Sequence, residues 1–105
     1  MDKIPDNIKP LIKSYMETLE KSGIHIDNAF LFGSYSRGTY NEFSDIDIAL
    51  VSKSFTGNRI KDRDKIRKHT LSTSSMIEVI PFSIDDFNEL NPFAKEIIKT
   101  GIRII

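Results

Sequence analysis

The sequence predicts an α+β domain, on three observations. Apolar residues at Ile4, Ile8, Leu11, Ile12, Tyr15, Met16 and Leu19 recur at helical spacing, with Lys9, Lys13, Glu17 and Glu20 on the opposite side. The stretch DIDIALV, 45–51, alternates with a period of two. Ile46, Ile48 and Leu50 therefore share one face of a strand, and Asp45, Asp47, Ala49 and Val51 share the other. NAFLF, 28–32, is a short apolar run cut off by Gly33-Ser34, the pattern of a mostly buried strand entering a turn.

The remaining elements follow in chain order. Asp6 or Asn7 is placed to cap the first helix, Pro10 falls in its first turn where a missing N–H does least harm, and Gly23 is a stop signal. SYSRGTYN, 34–41, predicts a short helix or tight turn ending near Gly38. Residues 52–75 are polar, with Gly57, many charges, and few apolar positions beyond Ile60, Ile66 and Leu71; they read as a loop and a mainly solvated helix. MIEVI, 76–80, is rich in β-formers, and its period puts Glu78 on the side of Met76 and Ile80. After Pro81, SIDDFNEL reads as a capped helical turn and PFAKEIIKT as a short helix with Pro92 near its start. IRII reads as a terminal strand that could pair across a homodimer or end inside the sheet. Phe30, Phe32, Phe82, Phe87 and Phe93 are expected to fill the core, although one of them, or Tyr35 or Tyr40, could stack a base.

At 105 residues the chain is expected to form one domain, 1–105, with a real core and no room for a separate acceptor-binding domain. Fifteen basic and fifteen acidic residues cancel, so overall charge gives no argument for a membrane surface or for sequence-independent nucleic-acid binding. Cysteine is absent, which removes disulfides and thiolate metal sites and fits a reducing compartment. MDKIPDNIKP lacks an apolar signal core, and no run approaches the roughly 20 apolar residues of a membrane span, so a cytoplasmic location is expected. The basic run Arg59, Lys61, Arg63, Lys65, Arg67, Lys68 is interrupted by Asp62 and Asp64 and holds no aromatic for base stacking; it reads as a solvated helix face rather than a nucleic-acid surface. His25 and His69 have no partner at ligand spacing and are assigned no role.

The chemistry concentrates in GSYSRGTYNEFSDID, 33–47. A Gly-Ser turn offers backbone N–H groups and a hydroxyl to an anion, whereas Asp45 and Asp47 on one face of a strand offer two carboxylates to a cation. The full pattern is G-S-x-x-x-G, a short spacer, S-D-x-D, and an acidic residue on a later strand: Gly33-Ser34, Gly38, Ser44-Asp45, Asp47 and Glu78. It resembles the nucleotidyltransferase superfamily that includes DNA polymerase beta, and within it the minimal nucleotidyltransferases of bacteria and archaea. NPFAKEIIKTGIRI looks like the C-terminal part of that subgroup.

The resemblance implies a small mixed β-sheet with helices packed mainly on one face, in the polymerase beta-like nucleotidyltransferase fold. It also implies transfer of a nucleoside monophosphate, AMP from ATP, to a hydroxyl of a partner protein. For the minimal subgroup the resemblance implies an antitoxin that adenylylates a tyrosine of its HEPN-type ribonuclease toxin. Two Mg²⁺ ions about 4 Å apart would steady the attacking and leaving oxygens, with Asp45 and Asp47 bridging both ions and Glu78 joining at the ion nearest the attacking hydroxyl. Gly33, Ser34, Arg37, Gly38 and Ser44 would form the nucleotide-binding set, Ser34 and the turn amides holding the outer phosphates and Arg37 adding a charge-assisted contact. Plainer readings stand beside these: Asp-x-Asp as the polar cap of a sheet edge, Glu78 as a solvent-facing edge residue, Ser34 as a helix cap, Arg37 as a surface arginine. Two alternatives stand behind transfer to a protein: a binding module for nucleotide or partner without turnover, against which the intact Ser34, Asp45 and Asp47 argue, and transfer to a small molecule, which the chain's length disfavours.

Overall fold

The computed structural model describes residues 4–41 and 43–105. Four strands and four helices follow in the order α1 (Lys9–Lys21), β1 (Asn28–Phe32), α2 (Ser34–Arg37), β2 (Ile46–Val51), α3 (Arg59–Thr73), β3 (Ile77–Phe82), α4 (Pro92–Thr100) and β4 (Ile102–Arg103). β2 is apolar on both sides beyond Asp47, so it is stable only inside a sheet covered on both faces. It occupies an inner place in a mixed sheet of order β3-β2-β1-β4. β1 runs antiparallel to β2 and β4, while β3 lies parallel to β2 and is reached through the crossover helix α3.

The two faces form two cores. Ile46, Ile48 and Leu50 pack with Ile12, Tyr15 and Leu19 of α1, Tyr35 of α2, Ile66 of α3, and Ile77 and Val79 of β3. Ala49, Val51 and Phe82 pack with Ala94 and Ile97 of α4, joined by the half-buried Phe30, Phe32, Ile80 and Phe87. Most helical mass thus lies on one face, as expected, with α4 alone covering the other. Tyr15 links α1 to α3 through a buried 2.6 Å hydrogen bond to Thr70 Oγ1. Five phenylalanines, Phe30, Phe32, Phe82, Phe87 and Phe93, meet edge-on or tilted on the α4 side, at centroid distances of 5.1–5.9 Å. Phe93 belongs to this cluster yet stays 39% exposed.

Several local expectations are corrected. α1 is not capped by Asp6 or Asn7: Ile8 stands at its N-cap without a side-chain bond. The Pro5 carbonyl accepts from both Ile8 N–H and Lys9 N–H at 3.1 Å, so a preceding turn satisfies donors that a cap would serve, and Asp6 pairs with Lys9 instead. SIDDFNEL, in contrast, forms the capped turn expected, with the Ser83 carbonyl and Ser83 Oγ both accepting from Asp86 N–H at 3.2 and 3.3 Å. Asn88 and Asn91 side chains bond the local backbone there, and the helix starts only at Pro92, where Asn91 Oδ1 accepts from Phe93 N–H and Ala94 N–H. Met76 precedes β3 and packs with the α1–α3 core, so the alternation starts at Ile77, and Met76 does not share a side with Ile80. Of IRII, Ile102–Arg103 pairs with β1 at the sheet's edge, Leu31 opposite Ile102 and Phe30 opposite Arg103.

Candidate active site

The site is assembled by strand register. Phe32, the last residue of β1, lies opposite Asp47, and Asp47 lies beside Glu78 of β3. Residues in register present their side chains on one face of a sheet. The turn after Phe32 therefore opens over the same sheet end as the carboxylates.

Gly33 is required there for two reasons. Its backbone (φ +72°, ψ −148°) is one that L side chains rarely adopt, and a Cβ would collide with Asp47 Oδ2 and come within 3.1 Å of Cγ. The aspartate carboxylate is thus seated directly against the glycine. The Gly33 carbonyl accepts from Ser36 N–H, Arg37 N–H and Ser36 Oγ–H at 3.1, 3.1 and 2.9 Å, which starts α2. Gly38 ends α2 in the left-handed conformation (φ +75°) that a C-cap favours. Ser34 is the first residue of α2 and half-buried. Ser44 Oγ accepts from Asn41 N–H at 2.9 Å and shapes the loop before Asp45.

The electrostatics are those of negative charge held close. Burial, then the charges of Asp45 and Glu78, push the Asp47 carboxyl above its usual range, and Arg37 opposes the shift. Among the described residues no ion pair engages Asp45 or Asp47. Glu78, by contrast, accepts from Arg63 Nη2 of α3 at 2.8 Å. Drawn to that guanidinium, it does not close a triad with the aspartates: among the described residues no three acidic or histidine side chains are gathered tightly enough to hold a metal ion. The donor chemistry nevertheless suits a hard divalent cation, since Asp45 and Asp47 are carboxylates on one sheet end and ionised Asp47 suffers from its anionic neighbours.

The partners of two α3 side chains are not legible in the sequence. Arg63 was one cation in a run of six, and nothing in the sequence marks it as the partner of Glu78 fifteen residues on. Asp62 stands in a charged run that implies a solvated helix face, yet it is 2% exposed and accepts from Thr56 N–H, Thr56 Oγ1–H and Gly57 N–H at 2.9, 3.1 and 3.0 Å.

The model of the nucleotidyltransferase domain matches residues 11–105. The chain belongs to the nucleotidyltransferase domain family. Two candidate protein adenylyltransferases of Methanocaldococcus jannaschii are similar to this nucleotidyltransferase: one is 43% identical over 47 residues, 45% of this chain and 31% of that protein, the other 42% over 43 residues, 41% of each. The matched stretch thus spans less than half of these relatives. Among solved structures, a toxin–antitoxin complex with AMP-PNP has a chain that aligns with 89% of this nucleotidyltransferase and 71% of its own length, at TM-score 0.63 and 22% identity. A candidate nucleotidyltransferase of Sulfolobus solfataricus aligns with 91% of this chain and 83% of its own, at TM-score 0.56 and 22% identity. These likenesses establish the nucleotidyltransferase fold. No helix among the described residues is long and apolar enough to cross a membrane.

Proposed function

We propose that this nucleotidyltransferase domain, acting as a minimal unit over 1–105, transfers AMP from ATP to a hydroxyl of a partner protein, and that the partner is a HEPN-type ribonuclease toxin held in check by the modification. The observation that carries the reading is the Asp47 carboxylate seated against Gly33, with Asp45 two residues before it and Glu78 in register beside it. An anion-binding turn and a set of carboxylates at one sheet end suit a metal-bound triphosphate better than they suit a sheet cap. The names of the relatives, protein adenylyltransferases, and of the structural neighbour, a toxin–antitoxin complex with AMP-PNP, support the choice of nucleotide and acceptor.

Gly33 lets the backbone approach the phosphates, and the Ser34 hydroxyl and the Ser34 and Tyr35 amides donate to them, since the next two amides are taken by the Gly33 carbonyl. Arg37, already within electrostatic reach of Asp47, offsets charge on the phosphate side, while Gly38 and Ser44 shape the approach. Asp45 and Asp47, joined by Glu78, would hold two Mg²⁺ ions, which supply charge stabilisation at the reacting phosphate. The acceptor oxygen forms a bond to the α-phosphorus, the bond to the bridging oxygen breaks, pyrophosphate leaves, and the hydroxyl proton passes to Glu78 or through it to water. A second reading, a binding module without turnover, is favoured by the Arg63–Glu78 pair, which occupies the carboxylate this step needs.

The test is incorporation of labelled AMP into a co-expressed HEPN-type partner, alongside calorimetry with ATP. Asp45→Asn and Asp47→Asn should abolish transfer with the fold intact, and Glu78→Gln should keep most ATP affinity while slowing transfer at least about 100-fold. Full transfer by Glu78→Gln removes that residue from the catalytic set. Tight nucleotide binding without incorporation into any acceptor selects the binding module, and affinity unmoved by a chelator refutes the metal.

A further inference from the structure

Helix α3 is more cationic than its sequence suggests. Arg59, Lys61, Arg63, Lys65, Arg67 and Lys68 are all exposed, whereas Asp62 is turned inward onto Thr56 and Gly57, leaving Asp64 as the one exposed acid of the helix. Two large apolar side chains break this charged surface, Ile60 at 75% and Leu71 at 59% exposure. Eleven positions separate them, about 16 Å along a helix. Arg63 and Arg67 lie between them on the same stripe, at helical spacing. All four, with Asp64 beside them, line a groove of about 410 Å³ whose opposite wall is β3, where Glu78 already pairs with Arg63.

The free edge of β3 does not suit strand addition. Ile46 N–H bonds the Met76 carbonyl and Ser52 N–H the Phe82 carbonyl, so even-numbered residues of β3 turn their polar groups to β2 and odd-numbered ones outward. Of these outward residues, Ile77 N–H goes to the Ser74 carbonyl and Pro81 has no N–H, which leaves the amide of Val79. An occupant is therefore held through side chains. The stripe asks for apolar residues at its ends and acids between them, a pattern one helix can supply with the same eleven-residue spacing. Nucleic acid fits less well: the stripe has no aromatic to stack a base, and phosphates gain nothing from Ile60 and Leu71.

We propose that the α3–β3 groove docks an acidic helix of the acceptor protein, its apolar residues on Ile60 and Leu71 and its carboxylates on Arg63 and Arg67. This deepens, and rests on, the transferase reading: a carboxylate that takes Arg63 frees Glu78, so docking brings the acceptor hydroxyl and releases the group that receives its proton.

The experiment maps amide shifts of the labelled chain with three probes: a synthetic amphipathic peptide with leucines eleven positions apart, glutamates between them and one tyrosine; the same peptide with lysines for glutamates; and a single-stranded oligonucleotide. The acidic peptide should shift amides of α3 and β3, and Arg67→Glu and Leu71→Ser should each weaken it, the charge reversal at least about tenfold. The lysine peptide should bind only the Arg67→Glu variant. Shifts elsewhere, affinity indifferent to Arg67→Glu, or tighter binding of the oligonucleotide at this face each overturn the proposal. Docking that obeys these variants without AMP transfer to any acceptor sinks the transferase reading and leaves the surface standing; transfer to the protein partner unchanged by Arg67→Glu does the reverse.

Discussion

Replacing Gly33 by alanine tests the seat of the Asp47 carboxylate in stability alone, without any assumption about substrate. The backbone at this residue belongs to a region populated almost only by glycine, and holding another residue there costs about 1–3 kcal/mol. In a domain of this size each kcal/mol lowers Tm by about 4–8 °C, so the variant should melt at least about 4 °C lower. A second cost is specific to the neighbour, because the new methyl overlaps Asp47 Oδ2 while Asp47 Cβ stays at an ordinary 3.4 Å. Removing the carboxylate with Asp47→Ala should relieve the overlap and leave the backbone strain. Urea denaturation of the wild type, both single variants and the double variant should thus give a coupling of about 0.5–3 kcal/mol, with Gly33→Ala milder when Asp47 is alanine. Equal cost in both backgrounds would show that the carboxylate does not rest on the glycine, and a cost below about 0.5 kcal/mol would remove the strain as well.

Three further outcomes are expected. The Asp47 carboxyl is held above its unfolded value of 3.8, so the folded state binds the proton more tightly and its stability declines as pH rises through the raised value. Asp47→Asn should therefore raise the urea midpoint at pH 7 and give no gain below pH 3.8; a lower midpoint at pH 7 refutes the electrostatic account. Tyr15→Phe removes the bond to Thr70 and should cost about 0.5–1.5 kcal/mol. Burial pushes the Tyr15 phenol up to about 12, the Thr70 bond opposing, so spectrophotometric titration should find one tyrosine ionising late. Stability tied to it should be whole below pH 10.0 and fade as pH climbs toward 12, a loss the phenylalanine variant escapes. Asp62→Ala removes a buried carboxylate and the charge-assisted hydrogen bonds it accepts from Thr56 and Gly57, and should cost about 1–3 kcal/mol, against less than about 0.5 for Lys61→Ala on the exposed side of α3; equal melting of the two would return Asp62 to the surface.

What could be read in the sequence was whatever is local. NAFLF gives β1 its bounds because an apolar run followed by Gly-Ser has few other solutions, and the alternation of DIDIALV gives β2 its two buried faces. Gly38 as the end of a short helix, and Pro92 at the start of another, follow from single residues with restricted backbones. The losses are non-local. Asp62 points inward because the loop at 56–57 folds back over it, and the direction of a side chain on a polar helix cannot be inferred when every neighbour is charged. Arg63 meets Glu78 only because α3 crosses back over β3. The start of α1 is not legible because a backbone carbonyl, that of Pro5, accepts from the donors that a side-chain cap would serve.

The antiparallel pairing of β1 with β2, set against the parallel pairing of β2 with β3, gives the site a history in time. Gly33 and Asp47 meet across one short connection, a contact a chain can search quickly, whereas Glu78 must wait for residues 52–76 to close and for α3 to fold over them. A molecule caught between these events would own the glycine turn and both aspartates but lack the third carboxylate. Pulse-labelled hydrogen exchange should accordingly protect amides shared by β1 and β2 before those shared by β2 and β3. On the proposed reading, nucleotide present during folding would meet a half-built cradle, and would be held by the chain before the chain is able to use it.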